Sequence, residues 1–155
     1  MPVKKLKEFL DNNNIRYVSM VHSPAYTAQE IAASAHIPGK ELAKTVMVKM
    51  NGEMAMAVLP ASYKVDLNLL KELTGSTSIE LATEHDFLNM FPGCELGAMP
   101  PFGNLYNMKV YSAKSLAEND EIVFNAGSHS ELIKMKYQDF ERLVKPIVLK
   151  FSFQS

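Results

Sequence analysis

The sequence predicts an α/β protein built on a mixed sheet, and three observations carry that expectation. A two-residue Asn51–Gly52 turn joins two β-like runs, TVMVKM and EMAMAVLPA. Capped helical segments separate the later strand-like runs, so hairpins and helical crossovers alternate along the chain. The composition, 47% hydrophobic and 21% charged over 155 residues, is that of a globular chain. A chain of this length can bury about two-thirds of its unfolded surface.

Val3, Leu6, Phe9 and Leu10 share one face at helical spacing, and Asn12–Asn13–Asn14 ends that first helix. Arg16 to Val21 is rich in β-formers and reads as a strand. Thr27 with Glu30 three residues later forms a capping box, opening a short helix through Ala35 that Pro38–Gly39 breaks. Asn51 and Gly52 both tolerate the positive φ of a type I′ turn, which makes this the clearest hairpin signal. In the second strand of that hairpin Met54, Met56 and Val58 point one way while Ala55, Ala57 and Leu59 point the other. Both faces are apolar, so this strand is expected to be central and covered on both sides.

Asp66 caps a helix carrying Leu67, Leu69, Leu70 and Leu73, and Gly75 ends it. A short strand follows at Ile79 to Leu81. Thr83 then caps a helix through Met90, which Pro92–Gly93 terminates. The stretch GCELGAMPPFGN is too turn-rich for a regular element, and its flanks LYNMKVYSA and EIVFNAG read as strands. The remainder is a strand at Glu131 to Met135, an amphipathic helix with Phe140, Leu143 and Val144, and an apolar run after Pro146. With no repeat, linker or low-complexity tract, residues 1–155 are expected to form a single domain.

Charge and cysteine content narrow the function. Sixteen Lys+Arg against 17 Asp+Glu leave a net charge of −1, which excludes a strongly basic nucleic-acid coat but permits local contact. The one cysteine, Cys94, allows neither an internal disulfide nor a thiolate cluster, which fits a reducing, cytoplasmic setting. Polar residues interrupt the apolar positions near the N-terminus, so no targeting segment is read there. No run reaches the roughly 18 apolar residues that span a bilayer, and no membrane association is expected. His22, His36, His85 and His129 show no metal-ligand spacing, and neither a GxSxG nor a phosphate-cradling glycine motif occurs. Neither metal nor cofactor is expected.

Three segments hold unusual content. Lys44 lies just before a strand in ELAKTVMV; read plainly, it is a solvated lysine at a strand edge. Gly97 to Gly103 is either a tight connection or a loop whose backbone N–H groups approach a ligand closely. Gly127–Ser128–His129–Ser130 has the composition of a turn.

Taken together, ELAKTVMVK, MAVLPASYKVDLNLLKELTG, LATEHDFLNMFPGCELGAMPPFGN and NAGSHSELIKMKYQDFERLVKP resemble the YbaK/prolyl-tRNA-synthetase-associated family of aminoacyl-tRNA editing domains. The ordered set A-K-T, L-P-A, P-F-G and N-A-G-S-H carries the resemblance, from about Val18 to Pro146. It implies a distorted mixed β-barrel or sheet surrounded by helices. It also implies a free-standing deacylase that hydrolyses the ester of a mischarged tRNA, typically tRNA for proline carrying Ala, Cys, Ser or Thr. The family's essential lysine falls on Lys44, its GxxxP loop on Gly97 through Pro101, and its late Gly-Ser/Thr-His segment on Gly127, Ser128 and His129.

The expected catalytic set is therefore Lys44, Gly97, Ala98, Met99 and Pro101. The expected substrate-binding set is His22, Thr45, Met47, Phe102, Gly127, Ser128 and His129. No protein nucleophile is needed, because an aminoacyl ester is already activated. Backbone donors from Gly97–Ala98–Met99 would meet the developing oxyanion, each worth roughly 10²–10³ in rate. Lys44 would hold a phosphate or the ribose, or stabilise developing charge. Met47, Met56 and Leu59 are expected to set pocket size.

Two positions depart from the pattern. Pro100 stiffens a loop where many members have Ser, and Thr45 stands where some alanine-specific members have Asn. The implied partners are the CCA end of a charged tRNA and prolyl-tRNA synthetase. The alternatives are a non-catalytic aminoacyl- or nucleotide-binding module, or a synthetase-docking protein of the same fold.

Overall fold

The computed structural model describes residues 2–21, 30, 37–87, 89–91, 94–95 and 98–154. The Thr27–Ala35 helix expectation, the Pro92–Gly93 stop, His22 and Gly97 lie outside the described residues, Glu30 apart. In chain order the described elements are α1 (Pro2–Asn12), β1 (Tyr17–Val21), β2 (Ala43–Met50), β3 (Glu53–Pro60), β4 (Tyr63–Val65), α2 (Leu67–Thr74) and β5 (Ile79–Leu81). They continue with α3 (Glu84–Phe87), β6 (Lys109–Ala113), α4 (Lys114–Ala117), β7 (Glu121–Asn125), β8 (Glu131–Lys136), α5 (Tyr137–Val144), β9 (Ile147–Leu149) and β10 (Ser152–Gln154). None of the helices among the described residues is long and apolar enough to cross a membrane.

The expected hairpin organises the rest. Asn51 and Gly52 both have positive φ, 52° and 83°, as a two-residue type I′ connection requires. A two-residue turn leaves one register: Met50 faces Glu53, Val46 faces Ala57, and Lys44 faces Leu59. The Asn51 side chain does more than permit the turn. Its Oδ1 accepts from the Thr77 N–H at 2.9 Å, the Thr77 hydroxyl at 2.9 Å and the Ser78 N–H at 3.1 Å. The turn is thus tied to the segment that leads into β5.

β2 and β3 are the centre of a five-stranded sheet ordered β5-β2-β3-β6-β9. β5–β2–β3 is antiparallel, whereas β3–β6 and β6–β9 are parallel. β3 is buried continuously from Ala55 to Pro60, as a strand apolar on both faces should be. β1-β8-β7 form a second, antiparallel sheet, and β10-β4 a two-stranded one. This is the expected mixed sheet with flanking helices; among the described residues the sheets are open and no barrel closes.

Helix ends follow their caps. Asp66 accepts from the Leu69 N–H at 3.0 Å to start α2, and Gly75 ends it in the left-handed conformation at φ 68°. Thr83 and Asp86 form a reciprocal box: the Asp86 N–H donates to the Thr83 hydroxyl at 3.2 Å, and the Thr83 N–H to the Asp86 carboxylate at 2.8 Å. The helix it starts, α3, ends at Phe87 rather than Met90, with Asn89 and Met90 in a turn. β4, β10 and α4 are additions that three- and four-residue segments did not announce in sequence.

An aromatic knot closes the core. The Phe102 ring, fully buried, lies 5.5 Å from Phe124, 5.5 Å from Phe140 and 6.2 Å from Phe9, joining β7, α5 and α1 to the loop that precedes β6. Gly103 makes that position possible. A Cβ there would stand 2.6 Å from Val110 Cγ2 and 2.7 Å from the Met108 carbonyl oxygen, and the carbonyl is backbone that cannot swing aside. Gly103→Ala should therefore lower stability by about 1–3 kcal/mol in urea unfolding. Gly39→Ala, where nothing lies within 4 Å of the new carbon, should change it by less than about 0.5 kcal/mol. Equal midpoints for the two variants would contradict this packing.

Candidate functional site

The hairpin register and one inter-sheet bridge place Lys44. Leu42, just before the start of β2, and Val123 of β7 form an isolated parallel bridge. From this bridge β2 continues through Lys44, which pairs with Leu59 of β3, and β7 continues to Asn125, which pairs with Leu132 of β8. Leu42, Val123 and Leu132 pack together as a buried cluster beneath this junction. The Ala61 N–H donates to the Leu42 carbonyl at 2.8 Å, closing the open end of the hairpin.

Lys44 itself is half-buried on β2, and among the described residues its ammonium has no acidic partner. Burial holds its pKa below the usual lysine range, and the positive charge of Lys64 on β4 adds to the effect. Among the described residues, then, no carboxylate offsets the charge that Lys44 brings to the start of β2. Lys64, in the stretch SYKV before a helix cap, gave no signal of its own in sequence.

The glycine-rich loop and the Gly127 turn are joined into one unit. The Gly127 N–H donates to the Ala98 carbonyl at 2.8 Å, and the Glu95 N–H donates to the Gly127 carbonyl at 3.0 Å. Gly127 has φ 102°, a conformation that side-chain-bearing residues rarely adopt, so glycine is required there. The Ala98 N–H is itself engaged, donating to the Glu95 carbonyl at 3.1 Å, and Ala98 is fully buried. This corrects the expectation that Ala98 offers an oxyanion donor. The Met99 N–H has no partner among the described residues.

Met99 leads from this joint to a cleft. Thr45, Val46 and Met47 of β2, Leu81 and Ala82 after β5, Glu84 and Phe87 of α3, and Met99 line a space of about 380 Å³. Thr45 and Met47, two of the expected substrate-binding residues, thus line the same space as Met99. Phe102 is not: it sits in the aromatic knot with no exposed surface, so it anchors the loop from behind and touches no ligand. Pro100 and Pro101 are buried with it. Met56 and Leu59, expected to shape the pocket, are fully buried core residues, and the walls come instead from Leu81, Ala82 and Phe87. Period-2 alternation assigns a strand residue to a face but not to a cavity, which is why sequence reasoning chose the wrong apolar positions.

Ser128 is half-buried and His129 exposed at the same turn. The Ser128 hydroxyl donates to Glu95 Oε1 at 3.3 Å, and the His129 N–H donates to Glu95 Oε2 at 3.1 Å. Glu95 was missed in sequence, where it is one acidic residue in an irregular stretch. Cys94 stands beside it, with Sγ 3.8 Å from the Tyr106 hydroxyl; burial pushes its thiol pKa up, against smaller lowering influences from Tyr106 and Lys5. It is a poor nucleophile in that setting. Among the described residues no three His, Cys, Asp or Glu side chains gather as a metal site would need.

Comparison with known proteins bears on this arrangement. Residues 22–143 match the model of the aminoacyl-tRNA editing domain family. The chain is 31% identical over 114 residues to the multifunctional Ser/Thr-tRNA deacylase ProXp-y of Escherichia coli (strain K12), covering 70% of this chain and 68% of that protein. It is 26% identical over 142 residues to the prolyl-tRNA editing protein ProX of Acetoanaerobium sticklandii, covering 88% and 86%. A crystal structure described as a proposed trans-editing enzyme for prolyl-tRNA synthetase superposes with a TM-score of 0.83 at 16% identity, over 98% of this chain and 97% of that one. That last likeness speaks for the fold alone. The family match spans most of the chain, from before β2 to within α5, and this chain belongs to the aminoacyl-tRNA editing domain family.

Proposed function

We propose that residues 1–155 form a single editing domain that acts in trans as an aminoacyl-tRNA deacylase. Its substrate is the CCA end of tRNA for proline bearing a small wrong amino acid. The observation that carries this reading is the arrangement at the start of β2. Lys44, which has no acidic partner among the described residues, precedes Thr45 on β2; Thr45 lines a cleft of about 380 Å³ with Met99, whose N–H has no partner among the described residues. That is the inventory an ester hydrolysis needs when the substrate is already activated and water is the attacking group.

The roles follow from chemistry. Lys44 is a compact cation on a flexible stem, suited to a terminal phosphate or to the ribose. Lys64 beside it adds like charge, which raises the attraction for an anion while costing the pair mutual repulsion. Among the described residues of the loop, the Met99 N–H is a donor available to the oxyanion that forms when water attacks the ester carbonyl, whereas the Ala98 N–H is engaged. Thr45, Met47, Leu81, Ala82, Phe87 and Met99 enclose the amino-acid side chain. A pocket of this kind separates substrates differing by one methylene by only about 1–3 kcal/mol, so several small residues would be accepted. The names of its relatives support the substrate class: one is a Ser/Thr-tRNA deacylase and another a prolyl-tRNA editing protein. Prolyl-tRNA synthetase is the partner this reading implies.

Two measurements test it. Purified protein incubated with Ala-, Ser-, Thr- and Cys-charged tRNA for proline should release at least one amino acid well above the uncatalysed rate. Lys44→Ala, with an unchanged circular dichroism spectrum, should lose roughly 10² or more of kcat/KM; wild-type activity in that variant would remove Lys44 from the mechanism. In an NMR titration of the lysine ε-carbons, Lys64→Ala should raise the Lys44 pKa but leave it below the ordinary lysine value. The sign follows because the larger cause, burial, remains after the like charge is gone.

A further inference from the structure

We infer that Glu95 is a positioning residue for this reaction, holding the Gly127–His129 turn at the angle the bound ester requires. This inference rests on the deacylase reading and assigns a role that the glycine, lysine and histidine pattern does not contain.

The geometry is specific. Glu95 contributes four bonds to one joint. Its N–H donates to the Gly127 carbonyl at 3.0 Å and its carbonyl accepts from Ala98 at 3.1 Å. Its two carboxylate oxygens take one donor each, Ser128 Oγ at 3.3 Å and the His129 N–H at 3.1 Å. The backbone bonds would survive substitution, because any residue supplies an N–H and a C=O. The carboxylate bonds would not.

The proton inventory around Ser128 explains why a carboxylate is needed. Ser128 Oγ lies 2.7 Å from Ser130 Oγ and accepts from the Ser130 N–H at 3.1 Å. A carboxylate can only accept, so the Ser128 proton must point to Glu95 and the Ser130 hydroxyl must donate to Ser128. Every site on the Ser128 hydroxyl is then occupied. Ser128 is a link in the brace, and neither a nucleophile nor a free substrate donor. What the brace presents outward is His129, an exposed side chain whose backbone N–H is the second group that Glu95 holds. Glu95 thus acts on the substrate through the turn, without touching it.

Exposure separates this role from a purely structural one. Glu95 is exposed, so deleting its side chain creates no cavity and should cost little global stability. A displaced turn, by contrast, misplaces binding groups by a fraction of an ångström to an ångström, and misplacement on that scale costs up to about 10²-fold in rate.

The test compares Glu95→Ala and Glu95→Gln with wild type, reading steady-state deacylation of mischarged tRNA, thermal midpoint, and hydrogen exchange at the His129 amide. Glu95→Ala should lower kcat about 10²-fold with KM within about twofold, and speed His129 exchange about tenfold. Its midpoint should fall by no more than a few degrees. Glu95→Gln keeps one oxygen for the His129 N–H and should recover most of both losses. If Glu95→Ala does not fold, Glu95 is structural and the inference is overturned. It is equally overturned if exchange at His129 is unchanged, if kcat is unchanged despite faster exchange, or if Glu95→Gln is as defective as Glu95→Ala. A wild-type chain that deacylates nothing overturns the deacylase reading itself, an outcome read in a separate sample from the exchange comparison of the Glu95 variants.

Discussion

The bond from the Gly127 N–H to the Ala98 carbonyl, 2.8 Å long, is the joint on which the candidate site depends. It holds together two irregular segments that lie far apart in sequence and belong to no common strand ladder. Everything near it is arranged to keep that bond. The positive φ of Gly127 turns its N–H toward Ala98. Phe102 pins the other end of the loop into the aromatic knot. Glu131, one residue past the turn, accepts from Lys7 at 2.6 Å and is bonded by the Ser19 hydroxyl, tying the turn's exit to α1 and β1. Irregular backbone can be held this rigidly only where regular elements grip it on several sides.

This arrangement suits a reaction in which the protein positions and the substrate supplies the reactivity. Placing a charged ammonium in a half-buried position is unfavourable, which is why burial lowers the Lys44 pKa. A carboxylate partner would relieve it but would also neutralise the charge offered to an anionic ligand. The structure keeps the cost and keeps the charge. With a net charge of −1, the deacylase reading asks only for local positive charge, and Lys44 and Lys64 lie near enough for each to feel the other's charge.

How much of this was legible in the sequence depended on whether the signal was local. The Asn51–Gly52 turn, the Asp66 and Thr83 caps and the Gly75 stop all depend on residues within four positions, and each is where the sequence placed it. The hairpin register followed from the same turn, so Lys44 opposite Leu59 was implicit. The candidate site was legible only through the resemblance, and then incompletely. That Ala98's amide is occupied, that Phe102 faces the core and that Glu95 braces the turn are facts about which segment packs on which. No period or cap encodes them. The pocket walls show the same limit: Met56 and Met47 face each other across a strand pair and both belong to the core, yet Met47 lines the cleft and Met56 does not.

The parallel bridge between Leu42 and Val123 has a consequence for how the molecule is made. Its two residues come from the first and last thirds of the chain, and the parallel pairings of β3 with β6 and β6 with β9 are likewise distant in sequence. Contacts of this range repay their loop-closure entropy only after the intervening chain has been ordered, and they make folding slow. The hairpin can form from local turn chemistry, whereas the Leu42–Val123 bridge needs distant parts of the chain to be brought together. Helices and hairpin can therefore be present in a chain that has not yet acquired its cleft, and loss of the late contacts would silence the molecule before it unfolds.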